Sequence, residues 1–266
     1  MSGIEGGIGF QRPDTDNPSL GRVPNASNLS KFGFGDGFTS AGGDQVVWPT
    51  PTTAFNPMLV ADTFTLTYTG GGGSNDGIGS TGAIAVLISY LDEDFALQEA
   101  SVVLEADGST ETSFRGYGIT RAVVVSSGSA NTNNGAIIIR DTANTYGQQA
   151  YIAAGIGVTQ QLIIHVPIGA TYLMKDVQLN INKVGGSSPV GIFKLKTYNR
   201  FIDCQFEILR LTIDASVENT VSRQFTTGFP FGGRDVLWWT LDTTVNSTVA
   251  SMVQDGTFYN LPQAIT

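Results

Sequence analysis

The single histidine of this chain, His165, lies between Ile164 and Val166 in its most apolar stretch. A general base needs a pocket and an orienting carboxylate, and an apolar run offers neither; a strand histidine with its polar edge satisfied locally is the ordinary alternative. One histidine and one cysteine, Cys204, cannot make up a zinc site. Asp92, Glu93 and Asp94 are three consecutive carboxylates, but neighbours on a turn diverge in direction. They match neither a glycosidase pair nor the EF-hand spacing, so a solvated turn is expected, with a weak calcium contact left open. The glycines of Gly70–Gly79 have no Gly-Lys-Ser/Thr ending and no helix to follow, which excludes a P-loop. Gly116-Tyr117-Gly118 and Gly155-Ile156-Gly157 lack a third glycine, and no Gly-x-Ser-x-Gly elbow occurs. The expectation is a protein with no catalytic residue, no bound metal and no cofactor.

Aromatic residues are the other candidates. Trp238 and Trp239 are consecutive, so on a strand they face opposite sides, one toward the core and one toward a possible glycan or subunit interface. Phe229 and Phe231 flank Pro230 just upstream and are read as packing or interface residues in preference to ligand-binding ones.

The elements that must position these side chains are strands. Only 14% of the 266 residues are charged and 33 are glycine, a composition of poor helix formers and turn residues. The net charge of −9, with 14 scattered Lys and Arg, provides no basic face for a nucleic-acid backbone. No apolar stretch reaches the ~20 residues of a membrane helix, and no signal peptide is visible at the N-terminus. The expectation is a soluble chain made in a cytoplasm, with no nucleic-acid or membrane partner.

Gln149 to Lys183 carries the clearest pattern. Leu162 to Val166 reads as a strand covered on both faces, Pro167-Ile168-Gly169 as a tight turn, and Leu173, Val177, Leu179 and Ile181 as the inward side of a returning strand. Tyr172 falls on the outward side of that pattern, and Lys175 is the exception on the apolar side. Cys204, Phe206 and Ile208 occupy even positions and Leu209, Leu211 and Ile213 odd ones. That change of parity predicts a β-bulge or a crossing between sheets, with Cys204 as a small core hydrophobe. Strands recurring every 10 to 15 residues or so predict an all-β, antiparallel sandwich of jelly-roll type. The sequence divides into residues 1–43, then β modules at 44–148 and 149–266, with one continuous sandwich over 44–266 as the alternative.

Residues 1–43 are rich in Gly, Pro, Asn and Asp, with apolar residues spaced singly. They read either as a frayed tail or as an extended arm that lays Phe10, Leu20, Val23, Leu29, Phe32, Phe34 and Phe38 into pockets on a neighbouring subunit.

Four stretches resemble a family of virion structural proteins from tailed phages of marine and cyanobacterial hosts. They are Ser30-Lys31-Phe32-Gly33, Val46-Val47-Trp48, the hairpin from Gly82 to Glu105, and Tyr151 to Lys183. Within the last, Ala153 to Thr159 followed by Val166-Pro167-Ile168-Gly169 fits well. The family's continuation after Lys-Phe-Gly is replaced by Phe34-Gly35-Asp36, and its Trp-Asp-Gly-Gly motif by Trp48-Pro49-Thr50-Pro51. The resemblance implies a virion component assembled in the host cytoplasm. As a capsid decoration or cement protein on the exterior of the head, it would contact the major capsid protein and copies of itself, expected as a homotrimer. A tail or baseplate adaptor, or a receptor-binding part contacting tail proteins or a host surface glycan, is the alternative.

Overall fold

A computed structural model of the chain describes residues 26–50, 53–70, 75–182 and 188–260. Fifteen strands run in the order β1 (Ala26–Phe38), β2 (Gln45–Val46), β3 (Asp62–Thr67), β4 (Ala83–Asp92), β5 (Leu97–Val103), β6 (Ser109–Ser127), β7 (Ile137–Asp141), β8 (Gln148–Ile152), β9 (Ile163–His165), β10 (Ala170–Asn182), β11 (Val190–Asn199), β12 (Cys204–Asp214), β13 (Thr220–Phe231), β14 (Asp235–Thr243) and β15 (Thr248–Asn260). The fold is all-β and antiparallel, with no helix among the described residues.

Two sheets form a sandwich, one in the order β1-β15-β10-β13 and one in the order β12-β11-β14-β2 with β9 also on β14. Tyr172, Met174, Val177, Leu179 and Ile181 of one sheet meet Phe193, Leu195, Leu237, Trp239 and Leu241 of the other in one buried cluster. Burying a side chain of this size contributes roughly 1.5–3 kcal/mol, so this face decides the register of both sheets. The remaining strands make a six-stranded sheet, β5-β4-β6-β3-β7-β8. Its long strand β6 pairs with β3 through its first half and with β4 through its second, and repeated register shifts along the β4 pairing curl the sheet around Phe64, Leu66, Ile88, Leu104 and Ile119.

Several sequence expectations change here. The strands on either side of Pro167-Ile168-Gly169 are not a hairpin: β9 pairs with β14, whereas β10 pairs with β13 and β15. The turn, with Gly169 at φ 72°, is a corner between sheets. Alternation reveals which side of a strand is buried but not which strand lies beside it. Tyr172 points inward and Leu173 is only half-buried, because a bulge between Met174 and Asp176 reverses the parity of β10 at Lys175. In β12 the expected bulge is present: Leu195 pairs with Leu209 and Lys196 with Glu207, which leaves Ile208 as the extra residue. Cys204, however, is exposed. It lies on the edge strand of its sheet, past the area that the opposite sheet covers.

The division at 148/149 falls within β8, which belongs to the curled sheet, while β2 belongs to the sandwich. Residues 26–38 are likewise no arm. They form β1, paired along its length with β15 from Ala26–Tyr259 to Phe38–Thr248. Their alternation is hidden because the inward positions hold Lys31, Gly33 and Gly35. A Cβ on Gly33 would come within 2.9 Å of Leu162 Cβ, and one on Gly35 within 2.6 Å of the Trp48 carbonyl oxygen. The Thr- and Ser-rich edge strand β13 is not evident from the sequence and runs on through Gly228 to Phe231, into a stretch rich in turn residues from Gly228 to Gly233.

Candidate functional site

Of the proposed arm anchors, Phe10, Leu20 and Val23 lie outside the described residues. Phe38 is fully buried in the chain's own core, and Leu29 packs against the same cluster. Phe34 is half-buried, and Phe32, on the outer side of β1, is 44% exposed. As anchors for a neighbour, Leu29 and Phe38 are therefore corrected to intramolecular packing: pairing with β15 turns their side of β1 toward the sandwich.

Both tryptophans are buried, which corrects the expectation of an exposed one. Trp239 enters the sandwich core, where its indole Nε1 donates to Gln254 Oε1 at 2.6 Å while Gln254 Nε2 donates to Tyr172 Oη at 3.0 Å. Burial raises the Tyr172 phenol far above its usual value, so it stays protonated. Trp238 points to the opposite face but is covered there by Phe55, with ring centroids 5.5 Å apart, and by Trp48. Phe231 is buried beside Tyr172. Phe229 is half-buried at the rim of the sandwich, edge-on to Phe225 at 4.7 Å.

The carboxylates are engaged locally. Asp92 accepts from the backbone N–H groups of Asp94 and Ala96 and from Gln98, and Glu93 pairs with Arg115 at 3.2 Å. Asp76, fully buried, accepts from the N–H groups of Ala83, Asn134 and Gly135 and so staples the glycine-rich loop to the next one. Among the described residues no cluster of three or more His, Cys, Asp or Glu could hold a metal ion.

The junction between the curled sheet and the sandwich is polar and buried. Lys31 Nζ donates to the carbonyl of Thr120 at 2.7 Å and to that of Ile163. Burial, aided by the nearby Arg121 charge, lowers its pKa to about 7. Arg200 donates to the carbonyls of Met58, Tyr117 and Arg234 and packs over the rings of Phe95 and Tyr117. Its own pKa is lowered to about 10 by burial. His165 lies here, and a Cβ on Gly118 would come within 2.2 Å of its ring. Burial first, then the charges of Arg200 and Lys31, hold its pKa well below the usual value, so the ring is neutral. Neither ring nitrogen makes a hydrogen bond of ordinary geometry, although the Ile119 backbone is near enough to favour the cation slightly. Sequence reasoning missed Lys31 and Arg200; a lone basic residue beside glycines or in a loop carries no periodic signal of burial.

Four of the exposed large apolar residues lie close together in the chain. Phe201 (83% exposed), Ile202 (57%), Phe206 (40%) and Ile208 (38%) sit on or just before β12, the outermost strand of its sheet. Beside them Leu209, Leu211, Val221, Phe225 and Phe229 close the core from the β12/β13 side, each only partly buried. This rim offers a partner apolar area and, among the described residues, an open row of backbone N–H and C=O groups.

No family model matches this sequence, and no curated protein does. Among solved structures, the functional form of the mosquito-larvicidal Cry4Aa toxin of Bacillus thuringiensis is similar at a TM-score of 0.20 and 7% identity, over 91% of this chain and 59% of that one. The chain thus spans less than two thirds of the toxin's length. T=1 particles derived from infectious bursal virus align at a TM-score of 0.14 and 9% identity over 90% of this chain and 79% of that one. The T13 viral particle of infectious bursal disease virus gives 0.15 and 10% over 91% and 80%. Viral capsid proteins are therefore among the weak neighbours, at scores too low to carry an argument. Among the described residues no helix is long and apolar enough to cross a membrane.

Proposed function

We propose that this chain is a phage virion structural protein of the decoration or cement type. It acts at the exterior of the head by packing against the major capsid protein and against copies of itself, without catalysis. The observation that carries this reading is the rim of β12, where Phe206 and Ile208, with Phe201 and Ile202 in the turn before them, stand exposed on a strand that pairs only with β11 among the described residues. Soluble monomers seldom leave such an edge open, because it invites pairing with another chain. The resemblance at Ser30–Gly33, Val46–Trp48, Gly82–Glu105 and Tyr151–Lys183 supplies the class of particle. The arm expected over residues 1–43 gives way to β1 at Ala26–Phe38; Phe10, Leu20 and Val23 lie outside the described residues, and their part in attachment belongs to this proposal.

Quantitative mass spectrometry of purified particles tests the assignment. Hundreds of copies per particle are expected of a decoration protein. A dozen or fewer would move the chain to the tail or baseplate, where the exposed loops would meet tail proteins or a host glycan. Absence from the particle would end the virion reading.

A further inference from the structure

The bulge in β12 has an effect on charge as well as on packing. In a regular strand, residues three apart face opposite sides. Ile208 is the extra residue between the rungs of Glu207 and Leu209, so Glu207 and Arg210 face the same, outer side. Their side chains meet there, with Arg210 Nε 2.8 Å from Glu207 Oε1. Counted along the ladder with β11, the successive rungs of β12 are Phe206, Glu207, Leu209, Arg210 and Leu211. That order is self-complementary about Leu209: an acid stands one rung to one side and a base one rung to the other, with an apolar residue two rungs away on each.

We propose that β12 is a homodimer interface, in which two copies pair their β12 edges antiparallel about a twofold axis through Leu209 and merge their sheets into one. The axis places Glu207 opposite Arg210 of the partner subunit and Arg210 opposite Glu207 of the partner subunit. It sets Phe206 against Leu211 of the partner subunit and the two Leu209 side chains against each other. A twofold makes such an interface isologous, each group meeting its complement twice. Lys194 lies beside Arg210 and Lys196 beside Glu207 on β11, but Asp44 bridges both lysines at 2.5 and 2.7 Å, so Glu207 and Arg210 pair with each other within the chain and exchange partners across the twofold. Each strand runs 11 residues. Along that length the pairing satisfies the open backbone groups and covers Phe206 and Ile208. The inference rests on the reading that copies of this chain assemble, and it names the surface and puts a twofold dimer in place of the homotrimer expected above.

The test is sedimentation equilibrium of the full chain with two exposed single variants and their combination. The wild type is expected to be a dimer. Glu207→Arg and Arg210→Glu each set like charges across the twofold and weaken association at least about tenfold. Combining the two restores the pattern and the dimer. Since both residues are on the surface, loss of their intrachain pair leaves the fold intact, as circular dichroism would verify. A second measurement joins Gln205→Cys and Thr212→Cys in a Cys204→Ser background; rungs at equal distance on either side of Leu209 give an intersubunit disulfide under oxidation. A monomeric or trimeric wild type, a dimer indifferent to Glu207→Arg, or a double variant that fails to recover overturns the inference. A chain monomeric in solution yet abundant in particles would refute the edge pairing and leave the virion reading standing, whereas a charge-sensitive dimer missing from particles does the reverse.

Discussion

Lys31 of β1 reaches across to the curled sheet, where its ammonium donates to the backbone carbonyl of Thr120 on β6 at 2.7 Å. A buried cation held by neutral carbonyls is costly, and its pKa falls to about 7.

The sign of the pH effect follows from that depression. Between about pH 7 and the ordinary lysine range near 10.5, the unfolded chain binds a proton that the folded chain has released. Stability from this group therefore rises with pH through that window, by up to about 1.4 kcal/mol per unit, and is level below it. Urea unfolding at pH 7 and 9.5 should show the gain in the wild type and its loss in Lys31→Met. Equal pH slopes in the two proteins would show that Lys31 is not held in this way.

His165 gives the complementary effect at acid pH. Its folded pKa is depressed, so below the ordinary histidine value of 6.5 the unfolded chain takes up a proton that the folded one excludes. Stability falls as pH drops from about 6.5 toward 5, by at most about 1.4 kcal/mol per unit. His165→Leu should flatten this limb in thermal melts taken across the range, and a limb of unchanged steepness would place the titrating group elsewhere.

Gln254 ties three strands together through Trp239 on β14 and Tyr172 on β10. Gln254→Leu keeps the volume but leaves the buried Trp239 N–H without an acceptor and the Tyr172 hydroxyl without its donor. The expected cost is on the order of 3 kcal/mol in denaturant unfolding. A loss below about 0.5 kcal/mol would mean that water or a shifted side chain replaces the amide.

Truncation separates arm from strand. Deletion of residues 1–25 should leave a folded protein that no longer joins particles, as measured by circular dichroism and by incorporation. Deletion of residues 1–43 also removes β1 and exposes the edge of β15, and the product should be insoluble or unfolded. Normal incorporation of the shorter deletion would show that residues 1–25 do not tether the subunit.

Much of the candidate surface was legible from local pattern. The parity change between Ile208 and Leu209 announces a bulge or a crossing between sheets, because a strand's side chains alternate strictly and an extra residue must break the alternation. The pattern did not say that β12 would end as an edge, nor that Phe206 and Cys204 would lie past the cover of the opposite sheet. Exposure there depends on how far a distant strand extends.

From its residues alone the chain is all-β and antiparallel, with a bulge or a crossing between sheets near Ile208, since turn residues, period-two alternation and its breaks are properties of the backbone at short range. Which strands became neighbours was settled only in three dimensions: β9 left β10 for β14, and β1 joined β15 across more than two hundred residues. The same is true of Trp238, which alternation sets on the face opposite Trp239 and which the segment carrying Trp48 and Phe55 covers. Alternation encodes which side of a strand avoids water, whereas partnership and cover are set by packing between segments far apart in the chain.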